Sequence, residues 1–530
     1  MKISKTYLVL FLSCVITTSL TACGGADSKN PDPDSVVVVD GFESLRSKAQ
    51  QQLADSLAPA VSIAIYKDGE IVFAEAFGTK KGGGSGAVDS NSLFQLGSTT
   101  KMFTALASLQ LVENNYFALD SRLLDLLPEI EISQEKTEGW QEINIQHLLT
   151  HQGGFEDFVD WENDSIDLLS FALSNYPSEH DQMNPAGRFA NYSNPNYSYL
   201  GAVIQQQSSM PYEDVLKQNV FFPLGMSRTT MKKEEVFNDG NYALGYGGIL
   251  KNGGFVIGSA DSLDNIYQGI FGKPAGSYTW STPTEVLKMA DFLINGNNDI
   301  LSDELRQEMT LAQVDLKFDI PLDYGYGLIL SDGIDDDSNW YPVKNWSHSG
   351  NTETYSSEFL VLPEENIAVS ILSSGRDTDF YETMKAALDS VMTLPAAIEV
   401  PVRPVETELF NNHVGRYEDD EDIVDITLEN NQVRIDISSL NDNNIAYNPV
   451  LEPIGGSVFL FTEGSNEHYL TFFPEFDGGS STYIREREFV LIRNDFAQNV
   501  ELQKTSKIIK PQRERSLIPN ELKRHLEKSN

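Results

Sequence analysis

Residues 97–111 read Gly-Ser-Thr-Thr-Lys-Met-Phe-Thr-Ala-Leu-Ala-Ser-Leu-Gln-Leu, a short polar start followed by an apolar helical run. Ser98 and Lys101 stand three residues apart, so on a helix both side chains share one face and the amine can reach the hydroxyl. An alcohol is a weak nucleophile until a base takes its proton, and lysine can be that base when burial or nearby cations lower its pKa. The helix N-terminus adds N–H groups that favour a developing oxyanion. The stretch predicts a serine nucleophile beside a lysine.

This spacing is not specific by itself, and an isolated match is more often structural than catalytic. Ser133-Gln134-Glu135-Lys136 repeats it in a polar, acidic stretch with no apolar helix behind it. We interpret this second match as chance. The first gains its meaning from two motifs further along the chain.

Those motifs are Tyr192-Ser193-Asn194, in a loop, and His348-Ser349-Gly350, before a predicted strand. Alone, the first is typical of a turn with a packed tyrosine, although a phenol can exchange a proton and an asparagine can hold a lysine or a substrate amide. Gly350 is expected to let a substrate backbone lie close along an edge strand, with an oxyanion-binding N–H just after it. His151-Gln152-Gly153 has the spacing of the third motif, but it lies in a helix-to-loop segment, and we interpret it as structural.

The ordered set of Ser98, Tyr192 and His348 resembles the serine β-lactamase and penicillin-binding-protein-like superfamily, in the branch with class C β-lactamases, D-aminopeptidases and esterases. The resemblance covers residues 42–395 and includes the stretches 94–102, 147–155 and 222–226. It implies that Ser98 is the acyl-accepting nucleophile, that Lys101 is its proton partner and that Tyr192 is the general base and acid. Which of Lys101 and Tyr192 takes the serine proton stays open.

The resemblance also implies supporting residues: Asn194 as a polar support, His348 and Gly350 lining the third motif, and the N–H groups of Ser98 and Asn351 as an oxyanion hole. Many family members that bind β-lactams or D-Ala-D-Ala termini carry lysine at the position of His348. Histidine is mostly neutral near pH 7, so a substrate carboxylate lacks a permanent charge partner here.

We therefore expect a cell-envelope serine hydrolase that forms an acyl-enzyme from an ester, an amide or a D-amino-acid peptide. One alternative is a penicillin-binding D-alanyl-D-alanine carboxypeptidase or a weak β-lactamase. A second alternative is a non-catalytic envelope-binding lipoprotein, although such a descendant should have lost the serine, lysine or tyrosine that this chain keeps. Acyl transfer needs only protein groups and water, so no cofactor is expected.

The order of predicted elements indicates a mixed α/β (α+β) fold of the β-lactamase/transpeptidase type. An early hairpin (61–66 and 70–77) and late strands (356–361 and 367–372) should form one antiparallel sheet, flanked by helices at 42–57 and 380–392, beside a helical lobe. The chain should enter an apolar helix at Leu93 that runs through Leu111, and Thr282-Pro283-Thr284-Glu285 predicts a capping box that opens a helix to about Leu293. Short β segments then predict a small all-β, barrel-like domain. The predicted boundaries are 1–22 for a signal peptide, 23–40 for a tether, 41–398 for the hydrolase domain, 405–497 for the all-β domain and 498–530 for a basic, polar tail.

The first residues predict export and lipidation. Lys2 and Lys5 precede an apolar run that is too short to span a bilayer, and the run ends Leu-Thr-Ala-Cys at Cys23. This resembles the bacterial lipoprotein processing motif, in which Cys23 becomes the lipidated first residue, with an ordinary secretory signal as the alternative. Gly24 rather than aspartate follows the cysteine, which favours the outer membrane in Gram-negative bacteria. We expect a lipid anchor in the bacterial cell envelope, on the periplasmic or surface face.

Composition excludes several functions. Acidic residues outnumber basic ones 78 to 38, for a formal charge of −40, so the chain would repel a nucleic-acid backbone. The two cysteines, at positions 14 and 23, allow no disulfide framework in the body of the chain and no thiolate zinc site. None of the seven histidines stands in a His-Glu-x-x-His pattern, which argues against a metal hydrolase. The expected partners are a small-molecule or peptide substrate and a membrane; no pattern indicates an oligomeric state.

Overall fold

The computed structural model describes residues 41–84, 86–133, 137–157, 168–179, 182–251, 254–266, 278–335, 339–419, 422–464, 466–474, 479–486 and 489–494. The predicted signal peptide, the tether with Cys23 and the basic tail lie outside the described residues, so these expectations stay predictions. No helix within the described ranges is long and apolar enough to cross a membrane.

A large antiparallel sheet is the centre of the first part of the chain. Its eight strands lie in the order β2-β1-β14-β13-β12-β9-β8-β7, which places the early hairpin beside the late strands as predicted. The strands up to this point are β1 Ala60–Lys67, β2 Glu70–Gly78, β3 Phe94–Gln95, β4 Tyr246–Lys251, β5 Gly254–Ser259, β6 Trp280–Ser281, β7 Val314–Asp315, β8 Asp323–Tyr324, β9 Ile329–Ser331, β10 Ile334–Asp335, β11 Trp340–Tyr341, β12 Asn345–Asn351, β13 Ser356–Leu362 and β14 Ile367–Ser373.

Helices cover both faces of this sheet. The helices are α1 Glu43–Asp55, α2 Lys101–Glu113, α3 Leu123–Leu126, α4 Thr137–Gln141, α5 Ile145–Leu149, α6 Leu168–Ser170, α7 Tyr176–Glu179, α8 Asn194–Ser208, α9 Tyr212–Val215, α10 Lys233–Asp239, α11 Pro283–Asn295, α12 Asp303–Met309, α13 Tyr381–Asp389, α14 Phe410–His413 and α15 Ser438–Asp442. Two π-helical segments, Phe171–Asn175 and Leu216–Phe221, adjoin α6 and α9.

The alternation of side chains along β1 shows how the sheet separates two cores. Val61, Ile63 and Ile65 pack against α1 and α13 on one face. Ala60 and Ala64 point the other way, into the larger core that includes α2, α8 and α11. Strand residues with a period of two explain this division, and the predicted cover of the sheet by the first and last helices of this region is confirmed.

Two local predictions need correction. The apolar helix expected from residue 93 begins only at Lys101, because residues 94–95 pair with β6 as a short strand and residues 97–100 form a 3₁₀ turn. The capping box expected at the start of α11 is half formed. The Thr282 Oγ1 accepts the Glu285 N–H at 3.3 Å, but the Glu285 carboxylate accepts hydrogen bonds from Arg228 N (3.0 Å) and Thr229 Oγ1 (2.6 Å) instead.

The C-terminal strands form a nearly closed barrel-like sheet, as predicted. They lie in the order β17-β16-β15-β22-β21-β20-β19-β18. Ile435 N donates to Pro449 O and Leu451 N to Val433 O, both at 2.9 Å, which joins β17 to the segment leading into β18. The strands are β15 Gly415–Glu418, β16 Ile423–Glu429, β17 Gln432–Ile437, β18 Glu452–Gly455, β19 Val458–Glu463, β20 Asn466–Pro474, β21 Ser481–Arg485 and β22 Val490–Arg493.

Candidate active site

Ser98 and Lys101 are joined by a direct hydrogen bond. Ser98 lies in the 3₁₀ turn before α2, and Lys101 is the first residue of that helix, so their separation of three residues brings them to one face as expected. Lys101 Nζ lies 3.1 Å from Ser98 Oγ. The lysine side chain is fully buried, whereas the serine is partly accessible. A hydroxyl that can meet a substrate is thus paired with an amine shielded from water.

The second motif lies against the same amine, with Tyr192 and Ser193 in a loop and Asn194 as the first residue of α8. Asn194 Oδ1 accepts a second hydrogen bond from Lys101 Nζ at 2.8 Å. The amine also lies 4.8 Å from the centroid of the Tyr192 ring and 5.5 Å from that of Tyr197, within the range of cation–π attraction. The structure therefore brings the first and second predicted motifs together around one nitrogen atom.

The third motif forms the opposite wall, and its histidine is buried rather than open to a ligand. His348 Nδ1 lies 2.6 Å from Ser349 O, and a carbonyl oxygen only accepts, so this nitrogen carries the proton. Nε2 is then the acceptor for the Tyr324 hydroxyl, 3.2 Å away. Burial, together with the positive charge of Lys101, lowers the pKa of His348 to about 3. The imidazole is neutral at physiological pH.

Close packing against the turn that carries Ser98 requires glycine at position 350. A Cβ at Gly350 would lie 2.0 Å from Leu96 O and 2.8 Å from Ser98 N, and one at Gly97 would lie 2.5 Å from Asn351 N. Gly97 also has a φ of +56°, which favours glycine. The turn that carries Ser98 therefore approaches Gly350 closely, and the approach of a substrate backbone to the same strand stays a prediction.

The same packing brings the backbone of Ser98 next to the backbone of Asn351. Thr352 N donates to Tyr355 O across the β12–β13 hairpin. Because N–H groups alternate in direction along an antiparallel strand, the Asn351 N–H is directed away from β13. On that side β9 pairs with β12 only at residues 345–347. The geometry suits the oxyanion hole that the sequence predicts for the N–H groups of Ser98 and Asn351.

Thr99 joins the 3₁₀ turn to strands β12 and β13 of the large sheet through hydrogen bonds. Its hydroxyl donates to His348 O at 3.1 Å and lies 2.7 Å from the Ser357 hydroxyl, which in turn donates to Leu96 O at 2.5 Å. These atoms are buried, so each hydrogen bond fixes the turn without competition from water.

Two residues behind the second motif, Asp157 and His151, contact the site although the sequence analysis assigned neither of them to it. Asp157 Oδ1 accepts hydrogen bonds from Asn194 Nδ2 (3.0 Å) and Asn194 N (2.9 Å), which turns the amide oxygen of Asn194 toward Lys101. The His151 ring packs against the Tyr192 ring at a tilt of 31°, with 4.2 Å between centroids, and the His151 carbonyl accepts the Asn191 N–H at 2.9 Å. His151 keeps the structural place predicted for it, but that place directly adjoins the site. Asp157 follows the matching stretch 147–155 by two residues, which is the only signal that could have indicated it.

A serine hydroxyl and a buried amine held together at the start of a helix, beside an antiparallel sheet, are the arrangement of a serine hydrolase. The family model described as Beta-lactamase matches residues 45–391. The chain belongs to this family of serine hydrolases.

Individual proteins agree with this assignment. Penicillin-binding protein 4* of Bacillus subtilis (strain 168) is 24% identical over 392 residues, which cover 70% of this chain and 82% of that protein. The structure of SurE with D-Leu aligns with a TM-score of 0.63 at 17% identity, over 86% of this chain and 99% of the other. The D-amino acid amidase of Ochrobactrum anthropi SV3 aligns with a TM-score of 0.54 at 21% identity, over 66% and 98%. The two structural matches show a shared fold.

Proposed function

We propose that the protein hydrolyses esters, amides or D-amino-acid peptides through an acyl-enzyme on Ser98. The observation that carries the proposal is the 3.1 Å contact between Ser98 Oγ and Lys101 Nζ beside the Tyr192 ring. Lys101 and Tyr192 form the proton-exchanging pair, because the Lys101 amine lies 3.1 Å from Ser98 Oγ and 4.8 Å from the centroid of the Tyr192 ring. One member of the pair, in its unprotonated form, takes the serine proton as Ser98 Oγ bonds to the carbonyl carbon.

The tetrahedral intermediate then collapses: the proton held by the pair passes to the leaving alcohol or amine, whose bond to the carbonyl carbon breaks, and the acyl group stays on Ser98 Oγ. Water later attacks the acyl carbon while giving a proton to the same pair, and the pair returns that proton to Ser98 Oγ as the bond between Ser98 Oγ and the acyl carbon breaks. In both steps, the N–H groups of Ser98 and Asn351 stabilise the negative charge that develops on the carbonyl oxygen. Asn194 keeps Lys101 in place throughout, through the 2.8 Å hydrogen bond to its amine.

The third motif supports the substrate class. His348 is neutral and is already hydrogen-bonded on both ring nitrogens, so the position that holds lysine in many relatives provides no cation for a substrate carboxylate. Substrates that place no carboxylate beside β12 are favoured over β-lactams and D-Ala-D-Ala termini. The fold shared with a D-amino acid amidase and with SurE, solved with D-Leu, supports a D-amino-acyl group.

Labelling and turnover by the purified protein test the proposal. A fluorophosphonate probe should label the wild type and Ser133→Ala, which alters the chance motif, but not Ser98→Ala. p-Nitrophenyl esters and D-amino-acid amides should be turned over, with kcat/KM for nitrocefin at least about a hundredfold lower. Labelling of Ser98→Ala would refute the nucleophile, and efficient nitrocefin hydrolysis would refute the substrate class.

We also propose that the mature protein is anchored in the bacterial cell envelope through a lipid on Cys23. Gly24 after the cysteine favours the outer membrane. The support is the pattern of residues 1–24 alone. Metabolic labelling with a palmitate analogue should mark the wild type and leave Cys23→Ser unmarked and released from the membrane fraction. Equal membrane retention of the two would refute the anchor.

A further inference from the structure

Arg485 is a buried cation of the barrel that forms hydrogen bonds with two segments of the hydrolase domain. It ends β21 and is 5% exposed. Nη1 donates to Ala190 O at 2.6 Å, and Nη2 donates to Leu316 O at 3.0 Å and to Thr471 Oγ1 at 3.1 Å. One guanidinium thus joins the barrel to two segments that are far apart in the sequence.

The first of these segments leads directly into the second motif. Ala190 stands two residues before Tyr192. Its neighbour Phe189 stacks on Phe473 of the barrel, with 4.2 Å between ring centroids and 13° between planes. Arg188 Nη2 donates to Pro474 O at 2.7 Å. Three consecutive residues before the tyrosine therefore contact strands β20 and β21.

The second segment leads into the third motif. Leu316 lies in the hairpin between β7 and β8, and β8 carries Tyr324, the hydrogen-bond donor to His348. The chain entering the barrel reinforces this hairpin, since Arg403 pairs with Asp315 at 2.8 Å. Arg485 consequently bridges the backbone that holds Tyr192 and the backbone that holds the Tyr324–His348 wall.

The chemistry of Arg485 fits a positioning role better than simple core filling. Within the described part of the chain no ion pair joins it to a carboxylate, and its acceptors are neutral oxygens. A buried charge is costly to desolvate, and an apolar side chain of similar volume would fill the same space without that cost. An apolar residue cannot hold four oxygen acceptors, those of Ala190, Leu316, Lys317 and Thr471, at fixed separations, whereas the rigid fork of a guanidinium does. The rings of Phe473 and Phe318, with centroids 5.0 and 5.5 Å from its Cζ, pack against this planar group.

We propose that Arg485 is a positioning residue for the hydrolase site, which sets the distance between the Tyr192 loop and the Tyr324–His348 wall through Ala190 and Leu316. The barrel is therefore a structural part of the active site rather than an appended module. This inference rests on the proposed function, in which Tyr192 exchanges the proton of Ser98.

The test measures the rate constant of Ser98 acylation by a p-nitrophenyl ester from pH 6 to pH 10 in the full-length protein. Arg485→Lys keeps the charge and removes the fork, and Phe473→Leu removes the stack on Phe189 while keeping the guanidinium. Both should slow acylation by about ten- to a hundredfold, because displacements near 1 Å at a reacting group have effects of this size. Both should also shift the pH profile, with little change in KM. Arg416→Lys, on the barrel surface in an ion pair with Asp425, is the matched control and should match the wild type.

Combining Arg485→Lys with Tyr192→Phe distinguishes an effect of Arg485 on the position of Tyr192 from a general effect on protein stability. If Arg485 acts through Tyr192, then Arg485→Lys should have almost no further effect on acylation once the phenol is gone. Should Arg485→Lys fail to fold, Phe473→Leu decides by the same measurements. Wild-type rates and pH profiles in folded variants, or a full additional loss in the Tyr192→Phe background, would overturn this inference alone. A wild type that never acylates Ser98 would overturn the proposed function with it.

Discussion

The two halves of the candidate site are built in different ways. Ser98 and Lys101 stand at the start of α2, where residues 101–109 are all buried, so the helix core fixes them. The Tyr192 loop has no helix or strand from residue 188 to 193 and is fixed instead by His151, Asp157 and the barrel. Ser98 and Lys101, the helix-held half of the site, can be predicted from the sequence around them. The Tyr192 loop, the loop-held half, depends on contacts with distant parts of the chain.

The largest expected effect comes from the helix-held half. Lys101→Met should lower the rate of acylation at least about a thousandfold, because it removes the amine 3.1 Å from Ser98 Oγ. The apolar replacement suits a fully buried position, so the protein should stay folded. Single-turnover kinetics with a p-nitrophenyl ester and thermal unfolding measure the two properties. A loss of less than tenfold would mean that the loop-held half activates the serine by itself.

A second prediction compares a buried histidine of the site, His348, with a buried histidine of the barrel, His413, by the pH dependence of stability. Burial lowers the pKa of His413, in the barrel core, to about 4, and burial with the Lys101 charge lowers that of His348 to about 3. Below pH 6.5 the unfolded chain binds protons at these residues and the folded protein does not. The free energy of unfolding should therefore decrease as the pH is lowered from 6.5 to about 4.5. Each of the two histidines should contribute a loss of about 1.4 kcal/mol for each pH unit.

Urea unfolding at pH 7.5, 6.5, 5.5 and 4.5 checks this prediction. His348→Gln and His413→Gln should each reduce the loss of stability between pH 6.5 and 4.5, whatever their effect at pH 7.5. An unchanged acid dependence in either variant would show that its imidazole is protonated in the folded protein.

The smallest expected effect concerns the loop-held half. Asp157→Ala removes the oxygen that accepts both Asn194 N–H groups, which leaves the amide of Asn194 free to turn away from Lys101. We expect about a tenfold loss in kcat with little change in KM, since a positioning hydrogen bond of this kind contributes about 1–2 kcal/mol. Asp157→Asn keeps an acceptor oxygen and should recover most of the activity. Asp389→Ala, which breaks only an exposed pair with Lys385, is the control. Equal activity of Asp157→Ala and the wild type would remove Asp157 from the site.

The sequence allowed prediction of the parts of the molecule that local patterns encode. Short strand-like runs bounded by turn residues identified the hairpin β1–β2 and the barrel strands, and the Ser98–Lys101 spacing identified one face of a helix start. These features depend on residues within a few positions of one another, where periodicity and spacing carry the information.

The rest depended on long-range packing. Nothing local indicates that Gly350 faces Leu96, that Tyr324 donates to His348 or that Arg485 reaches Ala190, because these partners are 24 to 295 residues apart. The half-formed capping box at α11 has the same cause, since Arg228 and Thr229 compete for the Glu285 carboxylate. Tertiary contacts override local preference at these points.

The two facing glycines have a consequence for altering what the enzyme accepts. A methyl group at Gly97 or Gly350 would collide with main-chain atoms of the opposite segment, so there is no flexible side chain to move aside. Mutational libraries aimed at new substrates should keep both glycines and vary other residues around Ser98 instead. The absence of a side chain at Gly97 and Gly350 thus limits which positions of the enzyme can be changed without displacing the main chain of the site.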